Sequence, residues 1–387
     1  MKSLVVLGST GSIGENTLQV AQALPDRFSL LGVAVERNWR RALEQARQFG
    51  AGTVAVADRA SARECAAAAP SAIRVLSGPE GVTELAGEAD ADIVVCAMVG
   101  MAGLRPVLAA LTAGSDVALA TKEALVAAGR LVTETSDRFG ANLVPIDSEH
   151  GAIHQCLPVG PRSERARRVR RLILTASGGP FARNADVDFD KATPAQALAH
   201  PNWDMGPKIS IDSATMMNKG LEIMEARWLF DVPVDRIGVL IHAESIVHSM
   251  VEFADGSVLA QMSPPDMRYA IQYALTFPDR CDGGWPSLDL GRIGRLSFEP
   301  PDEKRFPSLA LARRAAEADG TMPAVLNAAN EVAVDGFLKE QIAFSQIACV
   351  VESVMDRHEP AADADLATIE EADRWAREQA QGMVRLA

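Results

Sequence analysis

Between His200 and Glu225 the chain reads His-Pro-Asn-Trp-Asp-Met-Gly-Pro-Lys-Ile-Ser-Ile-Asp-Ser-Ala-Thr-Met-Met-Asn-Lys-Gly-Leu-Glu-Ile-Met-Glu, a run dense in hydroxyl, amide, ammonium and carboxylate groups. Ser213, Asn218 and Lys219 are the side-chain types that grip a phosphate through charge-assisted hydrogen bonds. Glu222 follows Asn218 by one helical turn and so faces the same pocket. A second acidic cluster, Asp147-Ser148-Glu149, closes the last strand expected in the N-terminal half. In extended chain, residues two apart point the same way, so Asp147 and Glu149 can share one cation with Glu222. An all-carboxylate donor set without cysteine suits Mg²⁺ or Mn²⁺ rather than zinc. Of the six histidines only His200 opens the polar segment; Pro201, Trp203, Met205, Gly206 and Pro207 beside it suggest a flap over 198–208 that closes over a ligand.

A third group of residues suits a nucleotide. Leu4–Leu7 runs into Gly8-Ser-Thr-Gly11-Ser-Ile-Gly14 and then a helical pattern over Glu15–Ala23. Glycines where a strand turns into a helix leave backbone N–H groups open to a pyrophosphate. Glu36, Arg37 and Asn38 follow the second expected strand. Glu36 would favour NAD and Arg37 the 2′-phosphate of NADP, according to which side chain points inward.

The elements that must position these groups come in three textures. From Leu4 to Ile146, β-rich runs (Leu4–Leu7, Leu30–Val35, Thr53–Ala57, Ile93–Ala97, Val117–Ala120 and Leu143–Ile146) alternate with Ala-rich helical stretches. The strands lack in-out alternation, which predicts a doubly wound parallel sheet with both faces covered, Rossmann-like. Beyond Asp147, runs at Leu172–Thr175, Val239–His242, Ser245–Phe253 and Ser257–Met262 predict a mixed α/β domain with a hairpin around Asp255-Gly256. Helical spacing over Ser308–Asp319, Met322–Leu338, Phe344–Arg357 and Ala367–Leu386 predicts a C-terminal helical domain. The expected division is a nucleotide-binding domain over 1–149, a catalytic domain over 150–277, a Pro/Gly-rich linker over 278–307 and the helical domain over 308–387.

At 387 residues, with 48% hydrophobic and 23% charged residues, the chain has the composition of a multi-domain globular protein. No apolar run approaches a membrane span, and the start lacks the features of a secretory signal, so a cytoplasmic protein without a membrane partner is expected. A net charge of −13 disfavours nucleic acid as a partner. The cluster of Arg162, Arg165, Arg167, Arg168, Arg170 and Arg171 lacks interleaved aromatics and reads as a solvated face. Five scattered cysteines without a Cys-x-x-Cys pair suit reduced thiols.

The glycine run, Lys122-Glu123, Asp147-Ser148-Glu149-His150, Ser177-Gly178-Gly179-Pro180-Phe181, the His200–Glu225 segment, His248–Phe253 and Asn327-Ala328-Ala329-Asn330-Glu331 together closely resemble the 1-deoxy-D-xylulose 5-phosphate reductoisomerases. The resemblance runs nearly end to end. It implies a homodimer that uses NADPH and Mg²⁺ or Mn²⁺ to convert the sugar phosphate 1-deoxy-D-xylulose 5-phosphate into 2-C-methyl-D-erythritol 4-phosphate in non-mevalonate isoprenoid synthesis. By motif, it assigns Thr10, Gly11, Ser12, Ile13, Arg37, Asn38, Thr121, Glu123 and Gly206 to the cofactor. It assigns Asp147, Glu149 and Glu222 to the metal. Lys122, Ser148, Ser177, His200, Ser213, Asn218, Lys219 and Glu222 fall to the substrate, with Lys122, Glu149, His200 and Glu222 as the catalytic set and Trp203 and Met205 in the flap. Four positions depart from the family pattern: Thr121 stands for Asn, Glu244 for Gln, Glu36 for a small residue and His154 for an aromatic. A phosphate grip beside a metal triad separates this reading from a homoserine or semialdehyde dehydrogenase; the alternative of another class is a catalytically idle nucleotide-sensing or scaffold relative, with Thr121 and Glu244 as early decay, which metal-dependent oxidation of NADPH would decide against.

Overall fold

The computed structural model describes residues 1–88, 90–184, 186–203 and 205–385. They form two compact units, one from residues 1–124, 132–154 and 266–287, the other from 125–131, 155–265 and 288 onward.

In the first unit, β1 (Lys2–Leu7), β2 (Phe28–Val35), β3 (Thr53–Val56), β4 (Arg74–Ser77), β5 (Ile93–Cys96), β6 (Asp116–Leu119) and β7 (Leu143–Pro145) form one sheet in the order β4-β3-β2-β1-β5-β6-β7. Every pairing in it is parallel. Leu4, Val5, Val6 and Leu7 are all fully buried, as a strand covered on both faces requires. The expected parallel sheet is therefore present, with strand ends moved by a residue or two. β4 was not foreseen: it is an edge strand of which only Leu76 is buried, so it carries no apolar run. Chain order runs outward from β1 to β4, then returns to β5 on the other side of β1. That reversal opens a crevice at the carboxyl ends of β1 and β5, where the glycine turn lies.

The helix Met267–Thr276 corrects the expected boundary at 277. Its Ile271, Tyr273, Ala274 and Leu275 lie in the first unit's apolar core with Leu4, Leu18 and Phe28, although they follow the whole second sheet in the chain. Amphipathic spacing announces a buried face without naming the core that buries it.

The second unit holds a mixed sheet in the order β11-β10-β8-β9, made of β8 (Val169–Ala176), β9 (Ile237–Ile241), β10 (Val247–Phe253) and β11 (Val258–Met262). The expected hairpin joins β10 to β11, with Gly256 at φ +85 in its turn. The C-terminal helices run over Ser308–Ala318, Met322–Leu338, Gln346–Met355 and Leu366–Val384. Leu386, the expected end of the last, lies outside the described residues, as does Asp204 of the flap. Within the expected linker, Glu299 bridges to Ile241, so its later part is built into this unit. Phe344 meets Phe181 at 5.1 Å, Phe189 at 5.0 Å and Phe337 at 5.5 Å between ring centroids. Such contacts contribute roughly 0.5–1.5 kcal/mol each beyond burial. They tie the Ser177–Phe181 loop to the C-terminal helices.

Candidate active site

The first unit carries a nucleotide crevice. Gly8 leaves β1 at φ +82, and a Cβ there would lie 2.3 Å from the Ala97 carbonyl oxygen. A Cβ on Gly14 would lie 2.4 Å from the Gly8 carbonyl oxygen and 2.5 Å from Ser9 Cα. Only glycine fits either position. Gly11 is the N-cap of the helix Ser12–Ala23 and supplies no side chain to bond its first N–H groups, and Gly11 and Ser12 are exposed. With Thr10 and Ile13 they form an open helix start of the kind that receives a pyrophosphate. Asn38 caps the helix Trp39–Phe49 without a side-chain bond, which leaves its amide beside a second open N-terminus. Both Glu36 and Arg37 face solvent, 3.6 Å apart. By contrast Arg41 is held by both Glu15 carboxylate oxygens, at 2.8 and 3.0 Å.

A catalytic candidate and a metal-ligand candidate of this unit meet: Lys122 Nζ lies 2.5 Å from Asp147 Oδ2. The Ser148 hydroxyl donates to Glu149 Oε2 at 2.5 Å. The sequence predicts an extended Asp147–Glu149, and the structure corrects this. β7 ends at Pro145 and Ser148–Cys156 is helical, so Asp147 sits at the strand–helix junction and Glu149 in the first helical turn, where negative charge is favoured. A helix start gathers these two acids by turning rather than by alternation. Thr121 is 1% exposed, and its hydroxyl bonds the backbone of Met98. Glu123, also assigned to the cofactor, is buried beside it.

The second unit carries the polar segment. Pro207–Ala214 and Met217–Phe230 are separate helices, broken at Met216, whose φ of 63 is left-handed. A non-glycine residue held there stores about 1–3 kcal/mol of strain. The break turns the end of the first helix, with Ser213, against the start of the second, with Asn218 and Lys219. One turn on, fully buried Glu222 accepts from Asn218 Nδ2 at 2.6 Å and pairs with the Lys219 ammonium. The helical spacing of Asn218 and Glu222 is thus realised as a direct bond.

His200 joins the same unit through Ser177. Its Nδ1 accepts from the backbone N–H groups of Asn202 at 3.2 Å and Trp203 at 3.0 Å, so in the neutral ring the proton is on Nε2. Nε2 then donates to Ser177 Oγ at 2.8 Å, which also accepts from the Gly179 N–H at 3.2 Å. With both acceptor positions used, the Ser177 hydroxyl hydrogen is directed at a third partner, the polarity an anion needs. Gly178 and Gly179 are left-handed, and a Cβ on Gly179 would lie 2.7 Å from the Ser213 carbonyl oxygen. Ser177 and Ser213 are therefore held on either side of one tight backbone contact. Asn202, which sequence reasoning passed over, anchors the flap by donating to the Ala243 carbonyl at 2.6 Å and to Ser245 Oγ at 2.8 Å. Glu244, the departure beside them, accepts from Ser297 Oγ at 2.7 Å. Burial works against its charge, but this bond and its neighbours hold the carboxyl below its ordinary range.

Three family profiles cover most of the chain: 1-deoxy-D-xylulose 5-phosphate reductoisomerase over residues 4–129, its C-terminal domain over 143–230, and the DXP reductoisomerase C-terminal domain over 262–379. The chain belongs to the 1-deoxy-D-xylulose 5-phosphate reductoisomerase family. The reductoisomerase of Pelotomaculum thermopropionicum is 52% identical over 387 residues, covering 100% of this chain and 99% of the relative. That of Chlorobium phaeobacteroides is 49% identical over 388 residues, covering 100% of both. Among solved structures, the Zymomonas mobilis reductoisomerase in complex with NADPH superposes with a TM-score of 0.92 at 41% identity, covering 100% of both chains. A reductoisomerase in complex with NADPH, fosmidomycin and magnesium superposes with a TM-score of 0.93 at 39% identity, covering 100% of this chain and 99% of the other.

Proposed function

We propose that the protein converts 1-deoxy-D-xylulose 5-phosphate into 2-C-methyl-D-erythritol 4-phosphate with NADPH and a divalent cation, Mg²⁺ or Mn²⁺. The observation that carries this reading is the end-to-end likeness to a reductoisomerase solved with NADPH, fosmidomycin and magnesium. The donor chemistry agrees. Asp147, Glu149 and Glu222 offer only hard carboxylate oxygens. The two lysines now paired with Asp147 and Glu222 mark these acids as places built to meet positive charge.

In this reading Asp147, Glu149 and Glu222 hold the cation, which when bound polarises the substrate's carbonyl and neighbouring hydroxyl oxygens so that one carbon–carbon bond breaks and another forms. NADPH, held by Thr10–Ile13, Arg37, Asn38, Glu123 and Gly206, supplies the hydride that reduces the resulting branched aldehyde. Lys122 places an ammonium where oxygen charge develops. Ser177, His200, Ser213, Asn218 and Lys219 grip the phosphate, which lies away from the bond change, and Ser148 holds the substrate near the acids. Binding energy from that remote group keeps the reacting carbons in register. The flap over 198–208, with Trp203 and Met205, excludes water and strengthens each of these interactions.

Copies of the chain pair as a homodimer. Support comes from β11, whose Val258 is 49% and Leu259 51% exposed, an apolar edge that a second copy would cover. The reading places the protein in the cytoplasm; among the described residues no helix is long and apolar enough to cross a membrane.

Incubating the protein with NADPH, Mn²⁺ or Mg²⁺ and 1-deoxy-D-xylulose 5-phosphate tests the reading. Absorbance of the reduced cofactor should fall, the fall should stop on chelation, and the active species should sediment at twice the 41.2 kDa chain mass. Absence of any metal-dependent oxidation would overturn it. A narrower expectation concerns Arg37→Ala. Loss of a charge-assisted contact to the 2′-phosphate should weaken NADPH about tenfold or more and leave NADH nearly unchanged. Equal effects on the two cofactors would remove Arg37 from that contact.

A further inference from the structure

We propose that Thr121 is a positioning residue for the cofactor: its hydroxyl fixes the loop 97–103, the second wall of the nucleotide crevice, and acts on NADPH through that loop. The proposal rests on the functional reading above.

Thr121 stands at the N-cap of the helix Lys122–Phe139, yet its side chain makes no capping bond. A threonine there ordinarily accepts from an N–H of the helix's own first turn, and giving that up requires a use elsewhere. The use is across the sheet. Thr121 Oγ1 donates to the Met98 carbonyl at 2.7 Å and accepts from the Met98 N–H at 3.0 Å. Both polar groups of one loop residue thus close on a single hydroxyl. Cys96 Sγ lies 3.4 Å from the same oxygen. Burial pushes that thiol up to about 11, so it remains S–H and can fill the hydroxyl's second acceptor position. The methyl group lies against the other end of the loop, where a Cβ on Gly103 would come within 2.8 Å of Thr121 Cγ2. A threonine supplies both contacts.

The loop's place gives the contact its meaning. It follows β5, which lies beside β1 at the reversal of strand order, so it borders the crevice opposite the glycine turn. The two walls touch, since a Gly8 side chain would collide with the Ala97 carbonyl. Gly100 is left-handed at φ +70, and Val99 beside it is 75% exposed. This is an apolar surface of the kind a ribose or nicotinamide face covers. Lys122 and Glu123 follow Thr121 directly, so one residue sets the register between this wall and the lysine paired with Asp147.

Thr121→Val keeps the shape and removes the hydroxyl, leaving the half-buried Met98 N–H without its acceptor. Fluorescence titration should show NADPH bound about tenfold or more weakly, and kinetics should show a raised KM for NADPH with the KM for the sugar phosphate within about twofold of the parent. Thr121→Ser, which keeps the hydroxyl, should restore binding to within about threefold. A Val variant that binds NADPH like the parent, or a Ser variant as weak as Val, overturns the proposal. Should the Val variant fold poorly, hydrogen exchange of the Met98 amide in the parent and the Ser variant decides: slow exchange in both supports the clamp, and free-loop exchange overturns it. A parent without any NADPH affinity would sink the functional reading itself, whereas a parent and a Val variant that bind NADPH equally well sink only the role of Thr121.

Discussion

Glu222→Gln should abolish turnover while NADPH binding stays near that of the parent protein. Glu222 is fully buried and pairs with the Lys219 ammonium, and its other oxygen accepts from Asn218. The amide has the same shape but no charge, so it weakens a divalent cation and leaves the buried lysine without its counter-charge. Removing one partner of such a buried pair costs about 3–5 kcal/mol, which corresponds to about a thousandfold in rate if it is felt in the transition state. The glycine turn, Arg37 and Asn38 belong to the other unit, so NADPH titration should change little. Turnover within tenfold of the parent, still stimulated by Mn²⁺, would take Glu222 out of the metal site.

Gly14→Ala should remove most NADPH affinity and lower thermal stability. The new methyl would lie 2.4 Å from the Gly8 oxygen and 2.5 Å from Ser9 Cα, all of it backbone that cannot rotate away. Overpacking of this kind costs about 1–3 kcal/mol, and the strain falls on the turn that must meet the pyrophosphate. A loss of about a hundredfold in affinity is expected when both effects act on one contact. Gly52→Ala serves as the control, because its methyl would meet nothing within 4 Å. Parent-like NADPH binding by the Gly14 variant would show that the cofactor does not use this turn.

Much of the site was legible because its signals are local. The glycine turn follows from a strand meeting a helix within a few residues, and Asn218–Glu222 follows from helical spacing. Other features escaped because the local pattern was ambiguous or because only the fold brings the partners together. Asp147 and Glu149 were read as extended because the preceding run is β-rich, but the chain enters a helix at Ser148. Thr121 was carried over to the cofactor by motif as a departure from Asn, and only the fold shows its hydroxyl turned to Met98 on an adjacent strand's loop. β4 escaped because an edge strand needs few apolar residues. Asn202 was passed over because only the fold brings Ala243 and Ser245 to it.

The helix Met267–Thr276 completes the core of a unit that begins at Met1. During synthesis the nucleotide-binding half therefore cannot close when its last strand emerges. It must wait, with part of its apolar surface uncovered, while the intervening sheet and the polar segment leave the ribosome. A gene fragment cut after the seventh strand would encode the glycine turn without the helix that seals the structure beneath it.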